Sequence, residues 1–120
     1  MALFSLKQEA LASIGGSTFT DDNNDAVNRF LEKAKEADGF VFGTPVYFAH
    51  PSGQLLSFLN RVFYSSNVGE LYPVFAGKPG AAIASARRGG MTAAVDVIQK
   101  YFGIASMPIV TSHIGIWSMA

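Results

Sequence analysis

The fold is decided by residues 37–61, which read ADGFVFGTPVYFAHPSGQLLSFLNR. The apolar run at residues 40–42 lacks polar alternation, which is typical of a strand covered on both faces in a parallel sheet. Residues 44–52 are interrupted by glycine and proline, and an amphipathic helix is predicted from Ser52 to about Tyr64. Ligands of open α/β sheets bind beyond the carboxyl ends of the strands, so chemistry is expected first at residues 44–52.

The flanking sequence alternates between helical and strand patterns. Apolar spacing predicts a helix over residues 23–38, and a strand rich in small residues is predicted at residues 79–86. Another helix is predicted over residues 91–102, with Gly103 at its C′ position, and residues 108–112 read as a further strand. The alternation predicts one α/β domain over the whole chain, with a parallel sheet and right-handed crossovers.

Composition excludes several classes of function. Lys plus Arg and Asp plus Glu number nine each, so no net field favours nucleic acid or an anionic membrane. No apolar run approaches the roughly 20 residues that a membrane span needs, and the first residues lack the layout of a secretory signal. A cytoplasmic protein is therefore expected. The absence of cysteine excludes disulfides, thiolate catalysis and cysteine-built metal sites within this sequence.

Six segments together resemble the NADPH-dependent FMN reductase family. Their order and spacing match over about residues 21–120, and they are GTPVYF at 43–48, SGQL at 52–55, FLNR at 58–61, FAGKP at 75–79, SARRGG at 85–90 and MPIVTS at 107–112. The resemblance implies a flavodoxin-like fold, which is a three-layer α/β/α arrangement with a parallel sheet. It also implies FMN as cofactor and NAD(P)H as co-substrate.

The first implied cofactor contact lies directly after the central strand. By resemblance, Pro45, Val46, Tyr47 and Phe48 line the flavin ring. The residue types suit this role, because a flat amphipathic ring needs an aromatic or apolar wall. The alternative is that Tyr47 and Phe48 only cover the end of the core, as many aromatic residues do.

The second implied contact follows the next strand. By resemblance, the opposite edge of the ring is bordered by Ser85, Ala86, Arg87, Arg88, Gly89 and Gly90. Glycines let the main chain approach a ring closely, and a guanidinium near the pyrimidine edge favours the anionic reduced flavin. Arginine could equally grip an NADPH phosphate. The alternative is a solvated pair of charges after a strand.

No side-chain catalysis or metal site is expected. The two histidines, His50 and His113, have no close acidic companions, and the Gly-x-Ser-x-Gly motif of a nucleophilic serine is missing. His50 lies in the predicted ligand segment and is the better candidate for touching a substrate, although a lone loop histidine is usually just solvated.

The amino-terminal part departs from the family pattern. Members begin with a strand, a phosphate-binding loop and a helix, whose N–H groups hold the FMN phosphate. We find no such unit in residues 1–22, so the expectation is a flavodoxin-like domain truncated in its N-terminal half, with weakened FMN binding. The missing strand would expose the edge of residues 40–42. A homo-oligomer is expected, with this edge facing another copy or filled by residues 2–6.

Three functional hypotheses follow. The first is an NAD(P)H-dependent flavin oxidoreductase that binds FMN at the carboxyl edge of the sheet. The second is a non-catalytic, truncated flavodoxin-like module for oligomerisation or interaction that does not bind flavin tightly. The third is a binding module for another flat aromatic ligand in the same groove.

Overall fold

The computed structural model describes residues 25–66, 74–111 and 117–119. These residues fall into two compact units, formed by Met1–Ala37 with Gly53–Val74 and by Asp38–Ser52 with Phe75–Ala120. The sequence-based prediction of a single domain stays a prediction.

The first unit contributes two helices, α1 (Asp25–Glu36) and α2 (Gly53–Ser66). Both bury an apolar stripe of the kind that the spacing predicts, and the buried side chains are Ala26, Val27, Leu31, Ala34, Leu55, Phe58, Leu59, Val62 and Phe63. The Phe30 and Phe58 rings meet edge to face, with centroids 5.1 Å apart. Such a pair contributes about 0.5–1.5 kcal/mol beyond the area that it buries, so it helps to hold the two helices together.

The second unit contains a mixed four-stranded sheet and one helix. The strands are β1 (Phe40–Tyr47), β2 (His50–Pro51), β3 (Gly80–Ala86) and β4 (Trp117–Met119), in the order β2-β1-β3-β4. The pairs β1–β3 and β3–β4 are parallel, whereas β2 pairs antiparallel to the end of β1. The helix, α3 (Met91–Ile104), connects two parallel strands, as the helical spacing of residues 91–102 predicts.

One face of this sheet packs against α3. The rings of Phe42 and Phe102 lie 5.8 Å apart, and a Cβ on Gly80 would stand only 3.0 Å from the Phe102 ring. The small residues of β3 therefore let the helix approach closely. Fully buried side chains at this interface are Ala84, Ala94, Ile98 and Phe102. Partial burial also raises the pKa of the Tyr101 phenol on α3 above its ordinary value of 10.0.

The predicted burial of the central strand on both faces is wrong for its second residue. Burial alternates along β1: Phe40 and Phe42 are buried, but Val41 is 66% exposed. Ile83 lies on the same face of β3 and is 38% exposed. The reason is that α3 covers only the face that carries the phenylalanines. An apolar run is compatible with a strand that is covered on one side alone.

The predicted strand at residues 108–112 is also wrong. Among residues 108–111, which the structure describes, only Ile109 forms a bridge to β3, parallel to Gly80, and the strand that pairs with the end of β3 is Trp117–Met119. The Gly80 N–H donates to the Pro108 carbonyl, and the Val110 N–H donates to the Gly80 carbonyl, both at 2.9 Å. Apolar residues therefore run beside β3 in the expected direction, but pairing there stops after one bridge.

Helix α3 ends two residues later than predicted, at Ile104 instead of residue 102. Gly103 is inside α3, and Ala105 occupies the C-cap with its N–H donating to the Tyr101 carbonyl. The residue with left-handed geometry is Ser106, with φ 60°. Glycine at C′ is a statistical preference, and a short polar side chain replaces it here.

Some predictions fall on residues that are not described. Residues 2–6, one of the two expected partners for the exposed edge, and residues 1–22, which lack a recognisable phosphate loop in the sequence, lie outside the described ranges. So do residues 67–73 and His113. Within those ranges, no helix has the length and apolar character required to cross a bilayer.

Candidate functional site

The candidate site lies at the carboxyl ends of β1 and β3. The two strands run parallel in register from Phe40 opposite Gly80 to Pro45 opposite Ser85. Residues that leave these strands therefore emerge at the same edge of the sheet, as the sequence predicts.

The segment after β1 is a tight β-hairpin rather than the open loop that the sequence suggests. Val46 pairs with Pro51, and Tyr47 pairs with His50. Phe48 and Ala49 form the two-residue connection, with φ angles of 52° and 60°. Two consecutive positive φ angles are the signature of the type I′ turn, which prefers Asn-Gly. An alanine and a phenylalanine here store backbone strain, and such strain often accompanies function.

The hairpin presents its aromatic side chains to solvent. Tyr47 is 61% exposed, and Phe48 at the tip of the turn is fully exposed. The alternative that these rings cover the end of the core is therefore wrong for Phe48. A large apolar side chain held in the open by a strained turn is available to a ligand.

The turn after β3 touches the hairpin at Gly90. This residue has φ 92°, and a Cβ placed on it would stand 2.9 Å from the Cα of Ala49 and 3.2 Å from Cγ1 of Val46. Only glycine fits both the conformation and the space. The contact joins the two turns directly.

The hairpin is also tied at its base. The Ser52 N–H donates to Oγ1 of Thr44 at 2.9 Å, and the same hydroxyl donates to the Pro45 carbonyl at 2.8 Å. Thr44 is buried, with 5% exposure. The Thr44 hydroxyl is therefore hydrogen-bonded to backbone groups on both arms of the hairpin.

Each predicted site residue has a defined place at this edge. Pro45 is exposed and Val46 half-buried in β1, while Ser85 is half-buried at the end of β3. The Ala86 side chain is buried, so it can offer only its main chain to a ligand. The exposed turn residues are Arg87, Arg88 and Gly89, followed by the half-buried Gly90. The structure brings the two predicted sets together, and their role as cofactor contacts stays a prediction.

Two contributors at this edge escaped the sequence analysis. The sequence indicates Thr44 only as the first residue of the predicted ligand segment, because its two hydrogen bonds depend on the hairpin register. Ala49 carries no signal, because its positive φ angle is invisible in the sequence. His50 lies exposed in β2 opposite Tyr47. In the described part of the chain, no cluster of three His, Asp or Glu residues could hold a metal ion.

Comparison with known proteins identifies sequence relatives. The family model described as NADPH-dependent FMN reductase matches residues 2–119, which extends the resemblance further toward the amino terminus than the six segments do. An iron-sulfur flavoprotein of Methanocaldococcus jannaschii is 36% identical over 98 residues, covering 76% of this chain and 49% of that protein. The chain thus spans about half the length of this curated relative, and it carries no cysteine.

Solved structures share the fold. A WrbA-like flavodoxin from Agrobacterium tumefaciens superposes with a TM-score of 0.59, covering 93% of this chain and 72% of that one. An NADH:FMN oxidoreductase in its apo form gives 0.62, with 93% and 65% covered, and an archaeal flavodoxin gives 0.58, with 99% and 79% covered. Each is 18% identical in sequence, so the likeness concerns the fold alone. The predicted flavodoxin-like α/β class is confirmed.

Proposed function

Because this chain belongs to the NADPH-dependent FMN reductase family, we propose that it binds FMN against the rim formed by its two touching turns and uses the flavin to pass electrons from NAD(P)H to an acceptor. The observation that carries the proposal is the contact of Gly90 with Ala49 and Val46. This contact joins the aromatic turn at Phe48 and the turn at residues 87–90 into one rim. A planar ligand requires the aromatic surface of the first turn and the polar groups of the second.

The residues at this rim fit an isoalloxazine ring. Tyr47 and Phe48 supply exposed aromatic surface for the faces of the ring. A Cβ on Gly89 would meet nothing within 4 Å, so the main chain there is open to the polar edge of a ligand. Arg87 and Arg88 are exposed beside it and supply positive charge. Apolar walls with a few polar groups are the usual composition of a cofactor site.

The chain contributes orientation and charge rather than acid–base catalysis. The bound flavin would supply hydride transfer, which depends on stacking geometry and on the electronics of the cofactor. The hairpin fixes the aromatic wall, and the Gly90 contact sets its spacing from the arginine turn. A guanidinium beside the pyrimidine edge stabilises negative charge there, although screening by solvent limits the effect.

Titration of flavin fluorescence tests the proposal. Micromolar protein is expected to quench both FMN and riboflavin, since the proposed contacts address the ring. Phe48→Ser should weaken the quenching, whereas Tyr64→Ser, which removes an exposed tyrosine from α2, should leave it unchanged. NADPH oxidation in the presence of FMN then separates a reductase from a passive flavin binder. Unchanged flavin emission would remove the proposal.

One edge of β1 has no partner along its first residues in the described part of the chain, which favours a second candidate, an oligomerisation module. The Phe40 N–H donates to the Pro79 carbonyl, and alternate residues of a parallel strand face the same neighbour. The N–H and C=O groups of Val41 and Gly43 therefore point away from β3. On the side of β1 that faces away from β3, β2 pairs only with Val46 and Tyr47, so no described residue pairs there with Val41 or Gly43.

We propose that a second copy of the chain covers this edge. Antiparallel pairing about a twofold axis at Phe42 would set Val41 opposite the partner's Gly43, with each pair exchanging two backbone hydrogen bonds. Strand β1 carries no charged residue that would oppose such pairing. The exposed side chains of Val41 and Ile83 would extend the contact across the same face.

A further inference from the structure

A buried hydroxyl bridges the two arms of the hairpin where regular pairing stops. Oγ1 of Thr44 accepts a hydrogen bond from the Ser52 N–H at 2.9 Å and donates one to the Pro45 carbonyl at 2.8 Å. Both Thr44 and Ser52 are buried, with 5% and 9% exposure. The contact is therefore shielded from water, where hydrogen bonds contribute most and their loss is most costly.

The register explains why the hydroxyl is needed. Val46 faces Pro51 and Tyr47 faces His50, so the next pair along would be Pro45 with Ser52. In a regular antiparallel ladder these two residues would exchange two backbone hydrogen bonds. Pro45 has no N–H to give. The only backbone hydrogen bond left to this pair would run from the Ser52 N–H to the Pro45 carbonyl. The Thr44 hydroxyl stands between these two groups, since it accepts from the Ser52 N–H and donates to the Pro45 carbonyl, and we call this arrangement the hydroxyl relay.

We propose that this hydroxyl relay holds the hairpin in the orientation at which Val46 and Ala49 meet Gly90, and that Thr44 is thereby a positioning residue for the flavin site. The second part rests on the proposed function. Thr44 is buried, so its effect passes through the hairpin rather than through contact with a ligand.

The small size of the hairpin makes one relay matter. Only two residue pairs connect β1 with β2, and the connecting turn holds Phe48 and Ala49 at positive φ angles. A strained turn persists only where its surroundings over-determine it. The relay at the base and the Gly90 contact at the tip are two such constraints.

Two substitutions at Thr44 separate the hydroxyl from the rest of the side chain. Thr44→Val keeps the branched shape and deletes the hydroxyl, which leaves the Ser52 N–H buried without its acceptor. Thr44→Ser keeps the hydroxyl. The matched control is Thr111→Val, which removes an exposed hydroxyl beyond the residues that border the opposite end of β3.

Hydrogen exchange at the Ser52 amide reports the relay without any ligand. In the unmodified protein this amide should exchange much more slowly than the Phe48 amide at the turn. Thr44→Val should accelerate Ser52 exchange about tenfold or more, while Thr44→Ser and Thr111→Val stay near the unmodified rate. Equal exchange of Ser52 and Phe48 in the unmodified protein overturns the relay, even if Thr44→Val fails to fold.

Flavin titration reports the consequence for the site. Thr44→Val should weaken FMN binding about tenfold and change the visible circular dichroism of the bound flavin, and Thr44→Ser should restore both. Unaltered affinity in Thr44→Val, or no rescue by Thr44→Ser, overturns the positioning role. If the unmodified protein binds no flavin, the proposed function fails, but Ser52 exchange still decides the relay.

Discussion

Gly90 and Ala49 lie so close together that a Cβ on Gly90 would stand 2.9 Å from the Cα of Ala49. These residues belong to turns that follow two different parallel strands. Through this contact, the two turns form one continuous rim at the carboxyl edge of the sheet. The proposed flavin site depends on this rim, so the first prediction concerns the contact itself.

Gly90→Ala should damage both stability and flavin binding. The substitution forces a left-handed conformation on a residue with a Cβ, which costs about 1–2 kcal/mol, and it also pushes the hairpin away. We expect the free energy of unfolding in urea to fall by about 2 kcal/mol or more. For stability, Gly89→Ala is the matched control, because a Cβ there meets nothing within 4 Å. Equal losses in the free energy of unfolding for the two substitutions would contradict the role of the contact.

Ala49→Gly should stabilise the protein. Ala49 has a φ angle of 60°, and glycine adopts this conformation without steric cost, so the free energy of unfolding should rise by about 0.5–1 kcal/mol. The control is Ala93→Gly on the exposed side of α3, where glycine should destabilise the helix by about 1 kcal/mol. Thermal or urea denaturation measures both. A loss of stability in Ala49→Gly would argue against the strained turn.

Val41→Lys should break the proposed pairing of copies. A lysine on an edge strand is a common natural device against association, and Val41 is already 66% exposed, so folding should survive. Sedimentation velocity at micromolar concentration should show a dimer for the unmodified protein and a monomer for the variant. Val110→Lys, at a half-exposed position outside β1, should remain dimeric. A monomeric unmodified protein would remove the pairing proposal.

Loss of the arginine pair should alter the electronics of the bound cofactor. Replacing Arg87 and Arg88 with alanine should lower the midpoint potential of the flavin, because positive charge near the ring favours the reduced anionic form. The effect should shrink with added salt, since both side chains are exposed. Lys100→Ala on the exposed side of α3 serves as control. An unchanged midpoint potential together with a raised KM for NADPH would indicate that the two arginines bind a phosphate of NADPH instead.

The sequence predicted the elements that are governed by apolar spacing. The buried positions of α1 and α3, such as Leu31 and Ile98, follow a helical stripe that is visible in the sequence. The parallel pairing of β1 with β3 also follows from the alternation of helix and strand. These features depend on side-chain hydrophobicity at regular intervals, which a sequence displays directly.

Other features depend on contacts between distant residues. The hairpin at Phe48 and Ala49 lacks the Asn-Gly signal of its turn type, so the sequence predicts a loop there. The strand at Trp117 is not predicted because residues 108–112 have a stronger apolar pattern, although among residues 108–111 only Ile109 pairs with β3. Exposure of Val41 depends on which face α3 covers. The local sequence determines neither the pairing register of the strands nor which face of the sheet a helix covers.

The most direct test of the proposed rim is a titration of the isotope-labelled protein with FMN, followed by amide chemical shifts. Saturable shifts should appear together at the hairpin amides of Val46 to Ala49 and at those of Arg87 to Gly90. Shifts confined to one turn, shifts elsewhere only, or no binding would contradict the claim that the two turns together contact one planar cofactor.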